Sequence, residues 1–206
     1  YNQVLPLPRQ MMLGALSDSS IIYRYGTLVA EQCKRMGIHM NYAPVVDVNN
    51  NPANPVINDR SFGENKETVA SFGIQYMKGL QDHGVMACAK HFPGHGDVSV
   101  DSHLDLPIIE KSMAQLDSLE LYPFKKLIQA GVSSMMVAHL FIPAIDNRLD
   151  RPTSLSQNNI TTLLKNKLNF NGLVVTDAME MMGVKKFFPN SEGSVEAIRA
   201  GADMLC

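Results

Sequence analysis

The fold is decided by the stretch AGVSSMMVA at residues 130–138. A helix-like segment ends at the glycine, and nearly every following residue is apolar or small. Glycine just past a helix end can adopt the left-handed conformation without a Cβ penalty. A continuous apolar run is typical of a strand buried on both faces, as in a parallel sheet. The stretch therefore predicts one αβ unit.

The same junction occurs five times along the chain. Glycine precedes apolar, extended runs at residues 39–48, 85–90, 132–138, 173–176 and 202–206. Alternating helices and strands predict an α/β fold with a parallel sheet. An open doubly wound sheet and a closed (β/α)8 TIM-like barrel both fit this pattern. Long loops after the first two runs favour the barrel, and no G-x-G-x-x-G follows a strand, as a dinucleotide-binding sheet would require.

The length of the chain bounds this interpretation. An eight-stranded barrel typically needs ~250 residues, and this chain has 206. It begins with Tyr1 and ends at Cys206 inside an apolar run. We therefore expect one incomplete barrel domain over residues 1–206, with about five βα units and with strands missing at both ends.

Composition argues against several classes of protein. The net charge is -2 and the 18 basic residues are scattered, so no surface for nucleic acid is expected. No apolar run approaches the ~20 residues of a membrane-spanning helix. The sequence implies no cofactor. Three cysteines cannot all pair within one chain, and buried free thiols are predicted for Cys33, Cys88 and Cys206.

Polar residues stand where four of the predicted strands end. Asp47 ends the first, Lys90 and His91 end the second, His139 ends the third and Asp177 ends the fourth. The carboxyl ends of parallel strands share one edge of a sheet, so these side chains are expected to converge on one cleft. An Asp at the floor of such a cleft can attack a sugar C1.

The second strand continues into the loop KHFPGHGD at residues 90–97, which is followed by Asp101-Ser102-His103. Its proline and glycines predict a sharply bent loop. An Asp two residues before a His can hold one imidazole nitrogen and raise the basicity of the other. A zinc site is the competing interpretation, with ligands drawn from His91, His95, Asp97, Asp101, His103 and His139.

These motifs resemble glycoside hydrolase family 3, and in particular its bacterial β-N-acetylglucosaminidase branch. The loop KHFPGHG with the following DSH carries most of the likeness. The stretches PRQMMLG at 8–14, NYAPVVDV at 41–48, DRSFG at 59–63 and TDAMEM at 176–181 agree in type and order. The resemblance covers essentially the whole chain.

The resemblance implies a (β/α) barrel and a two-step retaining mechanism without a metal. Asp177 matches the nucleophile, His103 the acid/base and Asp101 its dyad partner. Arg60, Lys90 and His91 match residues that hold a terminal N-acetylglucosamine. The substrate implied is a small saccharide or a muropeptide from peptidoglycan, and further domains of a longer chain are possible partners.

One departure and three alternatives stay open at this point. Family members carry a DQEGG-like strand end before the PRQMMLG segment, and this chain starts after that point. A metal-dependent barrel hydrolase, a non-catalytic sugar-binding remnant and a phosphorylase that uses phosphate in place of water remain alternatives. Neither the aglycone nor the cellular compartment follows from the sequence.

Overall fold

The computed structural model describes residues 6–99, 105–189 and 191–206. Over these residues the strands β1 (Met40–Asn41), β2 (Met86–Phe92), β3 (Ser134–Val137) and β4 (Leu173–Thr176) form one parallel sheet. Their spatial order is β1-β2-β3-β4. A doubly wound sheet reverses its strand order at a switch point, whereas this order follows the chain throughout. The sheet is that of a partial barrel, as predicted.

Helices alternate with these strands. Within the described residues the α-helices are α1 (Gln10–Gly14), α2 (Ser20–Arg35), α3 (Lys66–Gln81), α4 (Met113–Ser118), α5 (Leu121–Gln129), α6 (Met182–Lys185) and α7 (Glu192–Ala200). Two short 3-10 turns lie at Asn58–Arg60 and Thr153–Leu155, and a π-helix spans Asn158–Lys167. The helix α4 begins with a capping box formed by Ser112 and Gln115.

The first and last predicted strands are shorter than expected. In the run 39–48 only Met40–Asn41 is a regular strand, because Pro44 lacks the N–H that a strand interior needs. The chain still follows β2, since the Cys88 amide donates to the Ala43 carbonyl and Val45 bridges to Lys90. The run 202–206 is likewise irregular and touches β4 through one bridge, between Val175 and Met204.

The sheet is buried on both faces, as continuous apolar strands predict. The outer face packs against the helices through residues such as Ala87, Met135, Val137 and Val174. The other face carries a second group that we call the inner-face cluster, which consists of Met40, Tyr42, Cys88, Met136, Val175 and Met204. This cluster forms the apolar floor beneath the carboxyl ends of the strands.

Three local predictions need correction. At the fourth junction the left-handed residue is Asn169, with φ 55°, and not Gly172. Gly172 is required for another reason, because a Cβ there would lie 2.4 Å from the Ser133 carbonyl oxygen. A proline at position 123 predicts a break in the helix that follows Ser112, but Pro123 lies inside the first turn of α5, where a missing N–H costs nothing. Cys33 and Cys88 are buried, but Cys206 is exposed.

Candidate active site

Lys90 and Asp177 stand directly above the inner-face cluster. Side chains alternate between the two faces of a strand with a period of two. Lys90 is two residues after Cys88, and Asp177 is two residues after Val175. The amide of Asp177 donates to the Val137 carbonyl at 2.9 Å, which fixes the end of β4 against β3. The two charged groups therefore lie above the same apolar floor.

The environment of Asp177 keeps its carboxylate ionised. Burial alone would raise the pKa of Asp177, but His91 and His139, the Ala178 amide and the Lys90 ammonium together hold that pKa below its ordinary value. The Ala178 amide donates to Oδ1 at 2.9 Å. Within the described residues no hydrogen bond reaches Oδ2. One carboxylate oxygen is thus anchored and the other is available for chemistry.

Lys90 is held in a partly dehydrated position. Burial and the neighbouring Arg60 guanidinium lower the pKa of Lys90, while the carboxylates of Asp177 and Asp47 oppose that shift. A shallow hollow next to the Lys90 side chain is lined by Tyr42, Arg60 and Lys90 together with residues of the segment 7–10. The Lys90 ammonium and the Arg60 guanidinium can therefore contact a polar ligand placed in this hollow.

Asp47 is the buried hub of the site. Its carboxylate is 0% exposed and accepts the His91 amide at both oxygens, at 3.1 Å each. The His95 amide donates to Oδ1 at 2.7 Å, and His91 Nδ1 lies 2.7 Å from Oδ2. Burial tends to raise the pKa of Asp47, but these donors and the nearby imidazoles hold it below its ordinary value. The end of the first predicted strand thus organises the end of the second.

The hydrogen bonds of His91 define its tautomer. Asp47 can only accept, so Nδ1 carries the proton and donates to the carboxylate. On the other side of the ring, Arg60 lies with its guanidinium nitrogen 3.3 Å from Nε2. Because a guanidinium can only donate, Nε2 accepts from Arg60. The Arg60 side chain also donates to the Val56 carbonyl at 3.1 Å. Asp47, His91 and Arg60 therefore form a series of hydrogen bonds that ends at the cleft.

The loop after β2 is packed too tightly for larger residues. A Cβ at Gly96 would lie 1.7 Å from the Val48 carbonyl oxygen. Gly94 has φ +133°, and a Cβ there would lie 2.7 Å from Glu120. The side-chain amide of Asn54 donates to the carbonyls of His95 and Gly96 at 2.8 and 3.0 Å. The glycines that predicted a bent loop are therefore required by close contact, and Asn54 is a contributor that no sequence signal revealed.

An ion-pair group braces the same loop from the side of α4. Lys111 Nζ lies 2.5 Å from both Asp97 Oδ2 and Glu120 Oε1. Glu120 is 2% exposed, whereas the side chains of Lys111 and Asp97 are 20% and 30% exposed, so the Lys111–Glu120 contact is the better shielded of the two. Ion pairs gain strength in such a low-dielectric setting when the charges are matched. Lys111 thus links the stem of the loop to the helical layer.

The predicted pair Asp101 and His103 lies outside the described residues. The two flanks of this segment are described. On the near side, the Asn51 side-chain amide donates to the Val98 carbonyl at 3.2 Å. On the far side, Lys186 donates to Asp105 at 2.8 Å, and Ile108 bridges to Phe141. Lys186 follows α6, so the far flank contacts the segment that comes after β4 in the chain.

Two histidines of the competing zinc interpretation have both ring nitrogens in hydrogen bonds. His91 uses both nitrogens as stated above, and His139 contacts Ser154 and Ala178. Over residues 6–99, 105–189 and 191–206, no three His, Cys, Asp or Glu side chains are grouped as a metal site requires. The geometry of these residues is that of a hydrogen-bonded polar cleft.

Comparison with known proteins shows the family of the chain. Residues 3–206 match the family model described as glycosyl hydrolase family 3 N terminal domain. The chain belongs to glycoside hydrolase family 3. This family 3 chain is 38% identical over 191 residues to beta-hexosaminidase A of Pseudoalteromonas piscicida, covering 88% of the chain and 32% of that relative.

Solved structures of family 3 proteins are also similar to this chain. The chain superposes on a glycoside hydrolase family 3 β-N-acetylglucosaminidase from Paenibacillus sp. str. FPU-7 with a TM-score of 0.97 and 44% identity. The match covers 100% of this chain and 39% of that structure's chain. NagZ from Neisseria gonorrhoeae, solved with N-trifluoroacetyl-D-glucosamine, has a TM-score of 0.86 and 30% identity, and 60% of it is covered. The family 3 chain thus spans about a third to three fifths of these relatives. Among its described helices, none has the length and apolar character to span a membrane.

Proposed function

We propose that the protein is a retaining β-N-acetylglucosaminidase that removes a terminal N-acetyl-β-glucosaminyl residue. Asp177 is the nucleophile, His103 the acid/base and Asp101 its partner. The observation that carries this proposal is the Asp177 carboxylate, ionised above the cleft beside Lys90 with Oδ1 anchored by the Ala178 amide. The similarity to a β-N-acetylglucosaminidase of family 3 supports the choice of sugar.

The chemistry takes two steps. In the first, Asp177 attacks C1 of the sugar, and the bond from C1 to the leaving oxygen breaks as that oxygen takes a proton from the His103 imidazolium. The product is a glycosyl ester on Asp177 and a neutral imidazole. In the second, that imidazole takes a proton from water, whose oxygen attacks C1 and displaces the carboxylate. Two inversions at C1 give net retention of the β-anomer.

Arg60, Lys90 and His91 hold the sugar in this proposal. Arg60 and Lys90 present charged donors to the sugar, and His91, whose ring is held between Asp47 and Arg60, takes part by fixing the Arg60 guanidinium. Charged donors form stronger hydrogen bonds to hydroxyl oxygens than neutral donors do. The inner-face cluster below them gives the cleft an apolar floor.

The test is turnover by the whole product of the gene. We expect it to hydrolyse p-nitrophenyl N-acetyl-β-glucosaminide, and proton NMR should show the β-anomer as the first sugar formed. Equal rates with and without inorganic phosphate support hydrolysis, whereas glycosyl phosphate as the product would instead establish a phosphorylase. A first-formed α-anomer, or loss of activity on chelation with stoichiometric zinc in the protein, would overturn the proposal.

Replacing His103 separates the acid role from the nucleophile. His103→Ala should slow substrates with poor leaving groups by about 10²–10⁴-fold, the usual contribution of general acid catalysis. Activated aryl glycosides should lose much less in the first step, because their leaving group needs no proton. kcat/KM for a disaccharide and for a dinitrophenyl glycoside measures this difference. The matched control is His39→Ala, an exposed histidine before β1. Equal losses on both substrates would refute the acid role.

The natural substrate that we propose is N-acetylglucosamine linked to an anhydromuramoyl peptide. This proposal rests on the resemblance of the loop KHFPGHG and the following DSH to the bacterial branch of the family. Chromatography of the two remaining substrates, with the muropeptide and chitobiose in competition, tests it. A kcat/KM that favours chitobiose would contradict the assignment.

A further inference from the structure

His139 is buried directly behind the proposed nucleophile and is assigned no catalytic role by that mechanism. It follows β3, is 1% exposed, and has both ring nitrogens in hydrogen bonds. Nε2 lies 3.0 Å from the Ala178 carbonyl oxygen, and Nδ1 lies 2.6 Å from Ser154 Oγ. A carbonyl can only accept, so Nε2 carries a proton and donates it to Ala178.

A rigid turn holds His139 in place. Ser154 is 0% exposed and belongs to the 3-10 turn Thr153–Leu155, which folds back onto the end of β3. The Thr153 hydroxyl donates to the Ala138 carbonyl at 2.6 Å, and the Thr153 amide donates to the Leu140 carbonyl at 2.8 Å. These bonds flank His139 on both sides in sequence. The turn and the imidazole therefore form one fixed polar support.

The support ends at the carboxylate of Asp177. The hydrogen bonds run from Ser154 through His139 to the carbonyl of Ala178, and the amide of the same Ala178 donates to Asp177 Oδ1. Burial lowers the pKa of His139, so the ring stays neutral at ordinary pH. In that state Nδ1 accepts the Ser154 hydroxyl proton and Nε2 donates, which is the tautomer that this chain of bonds requires.

We propose that His139 is a positioning residue which, through Ala178, fixes the rotamer of Asp177 so that Oδ2 faces the sugar C1. This inference rests on the proposed function of Asp177 as the nucleophile. Nucleophilic attack requires the reacting atoms to be about 3–3.5 Å apart and aligned, and a misplacement of about 1 Å can cost 10²-fold in rate. The role predicts a loss in kcat with little change in KM, because His139 contacts no substrate.

Three variants test the proposal in the whole gene product. His139→Leu removes the donor to Ala178, and we expect kcat to fall by about 30–100-fold with KM within about 3-fold. His139→Gln places a side-chain amide where Nε2 stood, so kcat should return to within about 5-fold of the wild type. Ser154→Ala releases only the ring orientation and should lower kcat by about 3–10-fold. The matched control is Ser134→Ala, a buried serine of β3 that donates to the Ala87 carbonyl and not toward Asp177.

The readouts separate this proposal from the function on which it rests. Turnover by the wild type and its absence in Asp177→Ala test the function, and only the comparison among His139 variants tests the positioning. A folded His139→Leu with kcat within 2-fold of the wild type would overturn the proposal. So would a loss confined to KM, a loss matched by Ser134→Ala, or no recovery in His139→Gln. If His139→Leu does not fold, the ratio of kcat between Ser154→Ala and Ser134→Ala decides.

Discussion

Replacing Asp177 with alanine should lower kcat by about 10⁴-fold or more, which is the scale of losses seen when a covalent nucleophile is removed. KM for the aryl glycoside should change little, because Arg60, Lys90 and His91 remain to bind the sugar. The stopped assay with p-nitrophenyl N-acetyl-β-glucosaminide measures both constants. A small anion such as azide should enter the space left by the carboxylate, restore part of the rate and yield the α-glycosyl azide.

The reason for so large an effect lies in the state of the carboxylate. Several positive or donating groups hold the pKa of Asp177 below its ordinary value, in spite of burial. The nucleophile is therefore ionised throughout the neutral range, and its protonation should limit kcat/KM only in acid below about pH 4. Asp177→Asn keeps an oxygen that can accept the Ala178 amide, so the fold should be intact while the nucleophile is lost.

A neighbouring carboxylate provides the matched control for Asp177. Glu180 lies three residues later, its side chain is 85% exposed, and it pairs with Lys185 at the surface. Glu180→Gln should keep kcat within about 2-fold, since exposed ion pairs contribute little. A near wild-type rate in Asp177→Ala, or equal losses in Asp177→Ala and Glu180→Gln, would remove the nucleophile assignment.

Asp47→Ala should destabilise the protein by about 3–5 kcal/mol, the usual cost of leaving a buried charged or polar partner unpaired. The amides of His91 and His95 and the ring N–H of His91 all lose their acceptor in this variant. Activity should fall as well, because His91 and Arg60 are ordered through the same carboxylate. Denaturant unfolding followed by circular dichroism measures the free energy of unfolding.

Asp47→Asn should lose less free energy of unfolding than Asp47→Ala and should still bind the sugar more weakly than the wild type. One amide oxygen can accept the backbone donors, but the new N–H₂ group faces the imidazole. The ring is then expected to move its proton to Nε2, which would point a donor at the Arg60 guanidinium. We expect a rise in KM that exceeds the fall in kcat, and ¹⁵N NMR of the histidine ring should report the changed tautomer.

The pH dependence of stability follows from the sign of the Asp47 shift. The pKa of Asp47 is lower in the folded state than in the unfolded chain, so its stabilising contribution is present above about pH 4 and is lost as the pH falls through the folded pKa. The difference in stability between wild type and Asp47→Ala should therefore shrink in acid. Asp117→Ala is the control, since Asp117 is 57% exposed. A difference that is constant from pH 7 to acid would contradict this account.

The sequence predicted the order of the elements and much of the cleft, because both depend on local rules. Buried strands have continuous apolar sequences, and polar residues at the carboxyl ends of parallel strands lie at one edge of the sheet. Asp47, Lys90, His91 and Asp177 were found in this way, and the structure brings them together.

What the sequence did not predict depends on tertiary contacts. The left-handed conformation expected at Gly172 occurs at Asn169 instead. Gly172 is required because the Ser133 carbonyl oxygen lies too close to it for a Cβ. The support behind Asp177 joins His139 to Ser154 and Ala178, at separations of 15 and 39 residues, with no spacing that marks it. The role of Asn54 likewise appears only once the loop after β2 has folded over it.

The most direct measurement is covalent capture of the glycosyl-enzyme. The whole gene product would be incubated with a 5-fluoro N-acetyl-β-glucosaminyl fluoride, a substrate whose second step is slow, and analysed by intact mass spectrometry and peptide mapping. The account predicts one sugar per protein, attached through an ester to Asp177 and absent from Asp177→Asn. A sugar attached to any other residue, or full turnover of natural substrate with inversion at C1 and no covalent species, would contradict it.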